Sequence, residues 1–208
     1  MGFAALYPSY ERNAGPKMNQ KNLLEVDWSK IPAPTDDGAA AHLVGMTIPP
    51  LSLLATDDSS VTLSALAGRT VVFAYPRTGE PGKVSLVDDW DMIPGARGCT
   101  PQTCSFRDLF AELRAAGAKQ VFGLSTQSNE YQAEMAARLH LPFPVLSDEK
   151  LKLTEALQLP TMEVAGLTLI KRLALIVDDG RISHVFYPVF PPDRNAADVL
   201  DWLKANPR

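Results

Sequence analysis

Two cysteines and three histidines are all that the 208 residues offer of the side chains best suited to metal binding and nucleophilic catalysis. His42, His140 and His184 are scattered, so neighbours in sequence assemble no four-ligand zinc set, and no metal is expected. A Cys–His hydrolase needs a base held beside its nucleophile. None of the three histidines has a claim to that place, and all read as structural. Two cysteines are also too few for a disulfide scaffold; in a reducing compartment a bridge between them is transient, hence catalytic or redox-sensing. No run of about 18 apolar residues is present, so nothing is expected to span a bilayer. The net charge is −4 with no basic block, which argues against a nucleic-acid or membrane-surface partner. Met1 to Tyr10 lacks a basic segment followed by an apolar one, so no secretory signal is expected and a cytoplasmic location is the default. An apolar fraction of 46% and a charged fraction of 21% are ordinary for a globular chain, and the length suits one domain with an appendage.

Both cysteines lie in one stretch, Pro94-Gly95-Ala96-Arg97-Gly98-Cys99-Thr100-Pro101-Gln102-Thr103-Cys104-Ser105-Phe106-Arg107-Asp108. Here a Gly/Pro-rich loop runs into a helical pattern. Unpaired N–H groups and the dipole at a helix start favour negative charge, and a thiol placed there tends toward the nucleophilic thiolate. The stretch therefore reads as a reactive thiol with a second thiol close behind it. Arg107 and Asp108 read equally as a local ion pair, and Arg97 as solvated.

Residues 1–40 carry Pro8, Gly15, Pro16, Pro32 and Pro34 in irregular order, with a turn signal at Thr35-Asp36-Asp37-Gly38. They read as an N-terminal extension partly docked through Leu23, Leu24, Val26 and Trp28. The compact domain is expected over residues 41–208. Leu51 to Leu63 reads as a short hairpin, Ser64 to Gly68 as one helical turn, and Val71 to Tyr75 as a strand buried on both faces. From Arg77 to Gly98 the composition excludes regular structure over most of the length, with Trp90 and Ile93 as anchors; so long a loop is usually functional or disordered. Phe106, Leu109, Phe110 and Leu113 share one face of a helix that Gly117 ends. Val121 to Ser125 is the next strand, and Ser128 or Asn129 caps a helix with Tyr131, Met135 and Leu139 on one side. Residues 142–146 are extended, and Ser147 or Asp148 opens a short helix through Leu157. Asp178-Asp179-Gly180 joins the last two strands as a hairpin, and Asn195 caps a final helix bearing Ala196, Val199, Leu200 and Leu203. This order predicts an α/β fold, a mixed sheet flanked by helices in the thioredoxin-like arrangement.

The segment Gly98-Cys99-Thr100-x-x-x-Cys104-x-Phe106-Arg107-Asp108 resembles the active-site segment of peroxiredoxins. Its Cys-x4-Cys spacing is similar to the subgroup called bacterioferritin comigratory protein or PrxQ. Further matches run in order from Gly45 onward: Phe73-Ala74-Tyr75-Pro76, Phe143-Pro144-Val145-Leu146-Ser147-Asp148, and Arg172 entering Leu173 to Val177. The resemblance implies a thiol peroxidase acting on hydrogen peroxide and organic hydroperoxides without a metal or organic cofactor. Cys99 would be the peroxidatic thiolate, becoming a sulfenic acid, and Cys104 the resolving thiol that closes an intramolecular disulfide. A thioredoxin- or glutaredoxin-like reductant would restore the dithiol. Arg172 would sit over the thiolate, and Pro76, Thr78 and Gly98 would help bind the peroxide. A monomer or weak homodimer is implied.

The segment departs from the family in three ways. Pro76 and Cys99 are 23 positions apart rather than seven, an insertion of about sixteen residues. Ala96, three before Cys99, has no hydroxyl, and Thr78 would replace it if the loop folds back. Gln102 stands where a glutamate is common. Two other readings remain open: a thiol–disulfide oxidoreductase on the same fold, which the absence of Cys-x-x-Cys disfavours, and a redox-sensing binding module. The spacing itself has a mechanical consequence. Residues five apart in an α-helix have Cα atoms roughly 8.6 Å apart, whereas a disulfide needs about 4.4–6.8 Å. Oxidation is therefore expected to unwind residues 96–106. Amide hydrogen exchange should be faster across this segment in the oxidised protein, and equal protection in both states would overturn the expectation.

Overall fold

The structure, a computed structural model, describes residues 26–208. A hairpin of β1 (Ser52–Ala55) and β2 (Ser60–Thr62) leads into β3 (Arg69–Ala74), and after a long loop come α1 (Cys99–Asp108) and α2 (Phe110–Ala115). Then follow β4 (Gln120–Ser125), α3 (Asn129–Arg138), β5 (Val145–Ser147), α4 (Lys152–Leu157), β6 (Thr161–Val164) and β7 (Leu167–Ile170). The chain closes with β8 (Leu173–Asp178), β9 (Arg181–Phe186) and α5 (Asn195–Ala205). Seven strands form one mixed sheet in the order β2-β1-β5-β4-β3-β8-β9, with β6 and β7 as a separate hairpin. The expected thioredoxin-like α/β arrangement is present.

The apolar run at Val71 to Tyr75 explains why the sheet needs helices on both faces. Side chains alternate across a strand, so Val71, Phe73 and Tyr75 enter one core with α1, α2 and α5. Val72 and Ala74 enter the other, with Leu153 and Leu157 of α4. β3 pairs in parallel with β4 and antiparallel with β8, so it has no free edge. The Phe73 ring stacks on Phe106 at 4.1 Å between centroids, which ties the helix bearing both cysteines to the middle of the sheet. Burying a side chain of this size contributes about 1.5–3 kcal/mol.

Four expectations need correction or extension. The helix after Cys99 bends at Leu109, where φ is −99° and ψ 11°, so α1 and α2 are distinct although hydrogen bonds cross the bend. Asn195 is the first helical residue rather than a cap, and its side chain turns inward to accept a bond from Gln102. Asp148 does open α4, but from three residues upstream of Leu151: its carboxylate accepts the N–H groups of Leu153 at 3.1 Å and Thr154 at 2.7 Å. The β6–β7 hairpin was unforeseen, although Thr161 to Ile170 carries its own signal. Ala165 (φ 51°) and Gly166 (φ 75°) form a two-residue turn of the kind that favours glycine.

The long loop is pinned where expected. Trp90 is buried in a third apolar cluster with Ala96, and Ile93, Val164 and Leu169 complete it. The insertion thus rests on the β6–β7 hairpin. Of the expected N-terminal anchors, Leu23 and Leu24 lie outside the described residues, and Trp28 is docked. Its indole N–H donates to Asp193 Oδ2 at 2.8 Å, and its ring meets Phe190 edge-on at 6.0 Å. Further along the same arm, Asp37 accepts from Lys171 at 2.6 Å and Tyr187 at 2.7 Å. Among the described residues no helix is long and apolar enough to cross a membrane.

All three histidines have structural settings: His42 bonds the Leu157 carbonyl, His140 takes a left-handed turn position, and His184 lies between Trp202 and Phe186. Burial lowers the His184 pKa from 6.5. The unfolded chain therefore binds more protons than the folded one just below pH 6.5, and stability must fall as the pH drops through that window. Urea unfolding of His184→Phe, which keeps the ring stack, is expected to lose that part of the pH dependence between neutral and mildly acidic pH.

Candidate active site

Cys99 is the first residue of α1, and the residue that caps it is Gly98 with φ 105°. Only glycine suits this position: a Cβ would stand 2.6 Å from Pro192 Cγ and 2.7 Å from the Trp28 ring. The left-handed turn aims the loop so that Cys99 enters the helix with its side chain almost fully buried, 3% exposed. Its Sγ lies 3.5 Å from the Ala96 carbonyl.

Arg172 comes from the opposite side, on the two-residue link between β7 and β8. It is 2% exposed, and its Nη2 donates to Cys99 Sγ at 3.2 Å. The same nitrogen reaches the carbonyls of Gly95 (3.2 Å), Ala96 (3.2 Å) and Arg97 (3.1 Å), while Nη1 donates to Gln102 Oε1. A buried guanidinium is costly unless its donors are met. Here amide and main-chain oxygens meet Nη1 and Nη2 without a carboxylate in that set, so positive charge remains directed at the sulfur.

The Gln102 side chain has one allowed orientation. Arg172 cannot accept, so Oε1 must face it, and Nε2 then donates to Asn195 Oδ1 at 2.9 Å. This leaves Asn195 Nδ2 and Arg172 Nε buried without a hydrogen-bond partner. The network holds more donors than acceptors.

Thr78 is brought back over the site despite the insertion. It is buried, its N and Oγ1 donate to Gln127 Oε1 at 2.9 and 3.1 Å, and its carbonyl accepts from Gln127 Nε2 and from the Tyr131 hydroxyl. Thr78, Gly98 and Cys99 share the wall of one small pocket with Arg77, Trp90 and Arg97. Its volume of about 30 Å³ is room for about two water-sized oxygens. Pro76 is buried at the end of β3, where its carbonyl accepts from Ser125, and is not part of that wall. Arg97, expected to be solvated, is 12% exposed in its side chain and pairs with Asp91 at 3.5 Å. Arg107 and Asp108 do form the local pair, at 2.8 Å.

Cys104 lies one and a half turns along α1, also buried, and both thiols are free. Burial pushes its pKa up, with the Arg107 charge acting weakly the other way. The Tyr75 phenol, donating to Gln132 at 3.0 Å, is held well above its usual range by burial and by the charge of Cys99. Sequence reasoning missed Gln127, Asn195, Trp28 and the arginines of the pocket wall. No local pattern marks the roles of Gln127, Asn195 and Trp28, whose contacts span 49, 93 and 165 residues of chain.

Residues 43–200 match the Redoxin family. The chain belongs to that family. It is 33% identical over 165 residues to peroxiredoxin Bcp of Escherichia coli K12, covering 77% of this chain and 94% of that one. With chloroplastic peroxiredoxin Q of Sedum lineare the identity is 31% over 163 residues, 77% of either chain. The crystal structure of peroxidoxin BcpB from Mycobacterium tuberculosis superposes with a TM-score of 0.63 at 25% identity, over 79% of this chain and 98% of that one. This Redoxin is thus of the peroxiredoxin Q/Bcp type, a thiol peroxidase that uses a peroxide and a thiol reductant. The oxidoreductase and sensor readings are not favoured by these relatives.

The donor excess around Gln102 yields a test. In Gln102→Glu the carboxylate accepts from Arg172 and, after an amide turn, from Asn195. Urea unfolding is expected to show a gain of about 1–2 kcal/mol, while Cys99 alkylation at neutral pH slows because the new charge offsets Arg172. A lower unfolding midpoint would mean that burying the carboxylate outweighs the two acceptors.

Proposed function

We propose that Cys99 is the peroxidatic residue and Cys104 the resolving residue of a peroxidase domain spanning residues 41–208, preceded by an arm of residues 1–40. The observation that carries this reading is the Arg172 guanidinium 3.2 Å from a sulfur at a helix start, beneath a pocket sized for two oxygens. The Cys99 thiolate attacks one peroxide oxygen. The O–O bond breaks, its electron pair leaves as alkoxide or hydroxide and takes a proton from water, and Cys99 becomes a sulfenic acid. Arg172 and the first N–H groups of α1 stabilise the negative charge as it moves from sulfur to the leaving oxygen.

Thr78 orients the peroxide. Its hydroxyl proton is committed to Gln127, so toward the pocket it can only accept, and a peroxide O–H is the donor it suits. Gly98 lends its backbone to the pocket wall, and Pro76 acts from behind by fixing the turn into Thr78. Cys104 then attacks the sulfenic sulfur, forming a disulfide and releasing water. A thioredoxin- or glutaredoxin-like dithiol is oxidised as it reduces that bridge. Such recycling belongs in a reducing compartment, in keeping with the cytoplasm, and a monomer or weak homodimer suffices because both thiols lie on one helix.

The reading is tested by peroxide consumption with a thioredoxin recycling system. Cys99→Ser is expected to abolish peroxide consumption and Cys104→Ser to abolish thioredoxin-dependent turnover. Arg172→Met should slow the reaction with peroxide by about 10²–10³-fold. Turnover surviving in Cys104→Ser would assign resolution to another thiol.

A further inference from the structure

We propose that Trp28 is a positioning residue for the resolution step: the N-terminal arm clasps the start of α1 shut, and its grip sets how the Cys99 sulfenic acid divides between disulfide formation and over-oxidation. This rests on the assignment of Cys99 and Cys104 made above. The arm lies outside the segment that matches the family, which begins at residue 43.

The geometry is a sandwich. Gly98, the pivot on which Cys99 must swing, is enclosed between Pro192 and the Trp28 ring, both standing where a side chain at 98 would go. Trp28 is itself fixed at three points. Its indole N–H is bonded to Asp193, its ring rests edge-on against Phe190, and the short helical turn Trp28–Lys30 is capped by Asp27, which accepts from Ser29. Pro34 continues the cover over Gly95, and Asp37 ties the far end of the arm to Lys171 and Tyr187. Lys171 adjoins Arg172, so the arm is latched to the strand link that carries the guanidinium.

Both thiols sit on an intact helix, too far apart in that geometry to bond. Closing the bridge requires the first turn of α1 to unwind, and Cys99 leaves the helix only as the adjoining Gly98 parts from Trp28. While the clasp holds, a second peroxide can convert the sulfenic acid to sulfinic acid. In that step the sulfenic sulfur gains an oxygen as the peroxide O–O bond breaks, and water or alcohol leaves. When the clasp yields, Cys104 attacks the sulfenic sulfur and water leaves.

Trp28→Ala and Asp193→Asn in the full chain test this. Reduced protein is mixed with graded hydrogen peroxide, and the ratio of sulfinic to disulfide product is read by mass spectrometry. Disulfide formation with diamide is timed in parallel. Loss of one aromatic contact is expected to speed bridge closure by about 2- to 10-fold and to lower the ratio of sulfinic to disulfide product by the same factor, with Asp193→Asn smaller in effect. Circular dichroism and urea unfolding verify that each variant is folded. Unchanged closure and an unchanged ratio in folded Trp28→Ala overturn the clasp. If wild type forms no sulfinic or disulfide product with peroxide, the peroxidase assignment fails instead, while faster diamide closure in Trp28→Ala still upholds the clasp.

Discussion

The architecture of this protein converges on one buried cation. Arg172 is carried on a link between two strands, far in sequence from the cysteine it serves, and it gathers three successive loop carbonyls, an amide oxygen and a sulfur around a single guanidinium. Desolvating that charge is offset by the oxygens that the loop before α1 and Gln102 of α1 bring to its two terminal nitrogens. The loop at 95–97 must therefore hold its carbonyls inward, which in turn fixes the left-handed turn at Gly98 and the entry of Cys99 into α1. Catalytic geometry and loop conformation are two readings of the same set of bonds. Nothing in the set is negative except the sulfur at the moment it reacts, so the field that stabilises a thiolate is not spent on a neighbouring carboxylate.

The helix that presents the sulfur is held with opposed requirements. Phe73 stacks on Phe106 and draws the middle of α1 onto the sheet, while Gln102 ties its first turn to Asn195 of α5. These contacts fix the position of the Cys99 sulfur at the start of the helix. The same contacts keep Cys104 buried, where its thiol is the less reactive protonated form at neutral pH. On the proposed roles of the two thiols, reaction with peroxide and formation of the bridge call on two conformations of one helix, and the strength of its anchorage is a compromise between them.

The fold was legible in the sequence because its signals are local. Unbroken apolar runs marked the central strands, Asp178-Asp179-Gly180 marked the last hairpin, and the cysteine segment with its ordered flanking matches marked the family. The pairing of Arg172 with Cys99 was legible only through that resemblance, since no spacing argument connects residues 73 positions apart. What stayed hidden depends on contacts between distant segments. Gln127 holding Thr78, Asn195 turned from cap to partner, and Trp28 against Gly98 each require the tertiary structure to be known first. The β6–β7 hairpin is a different case: its alternation and Ala165-Gly166 turn are local, and they were obscured by the neighbouring apolar residues that feed the main sheet.

The third apolar cluster makes two departures from a compact sheet-and-helix plan into one unit. Trp90 and Ala96 of the insertion are covered by Val164 and Leu169 of the small hairpin, and those hairpin residues are in turn covered by the insertion. Neither part buries its apolar surface alone. In engineering terms they form a cassette: moved together onto a related scaffold they bring their own core, whereas a loop graft without the hairpin would strand an indole in water.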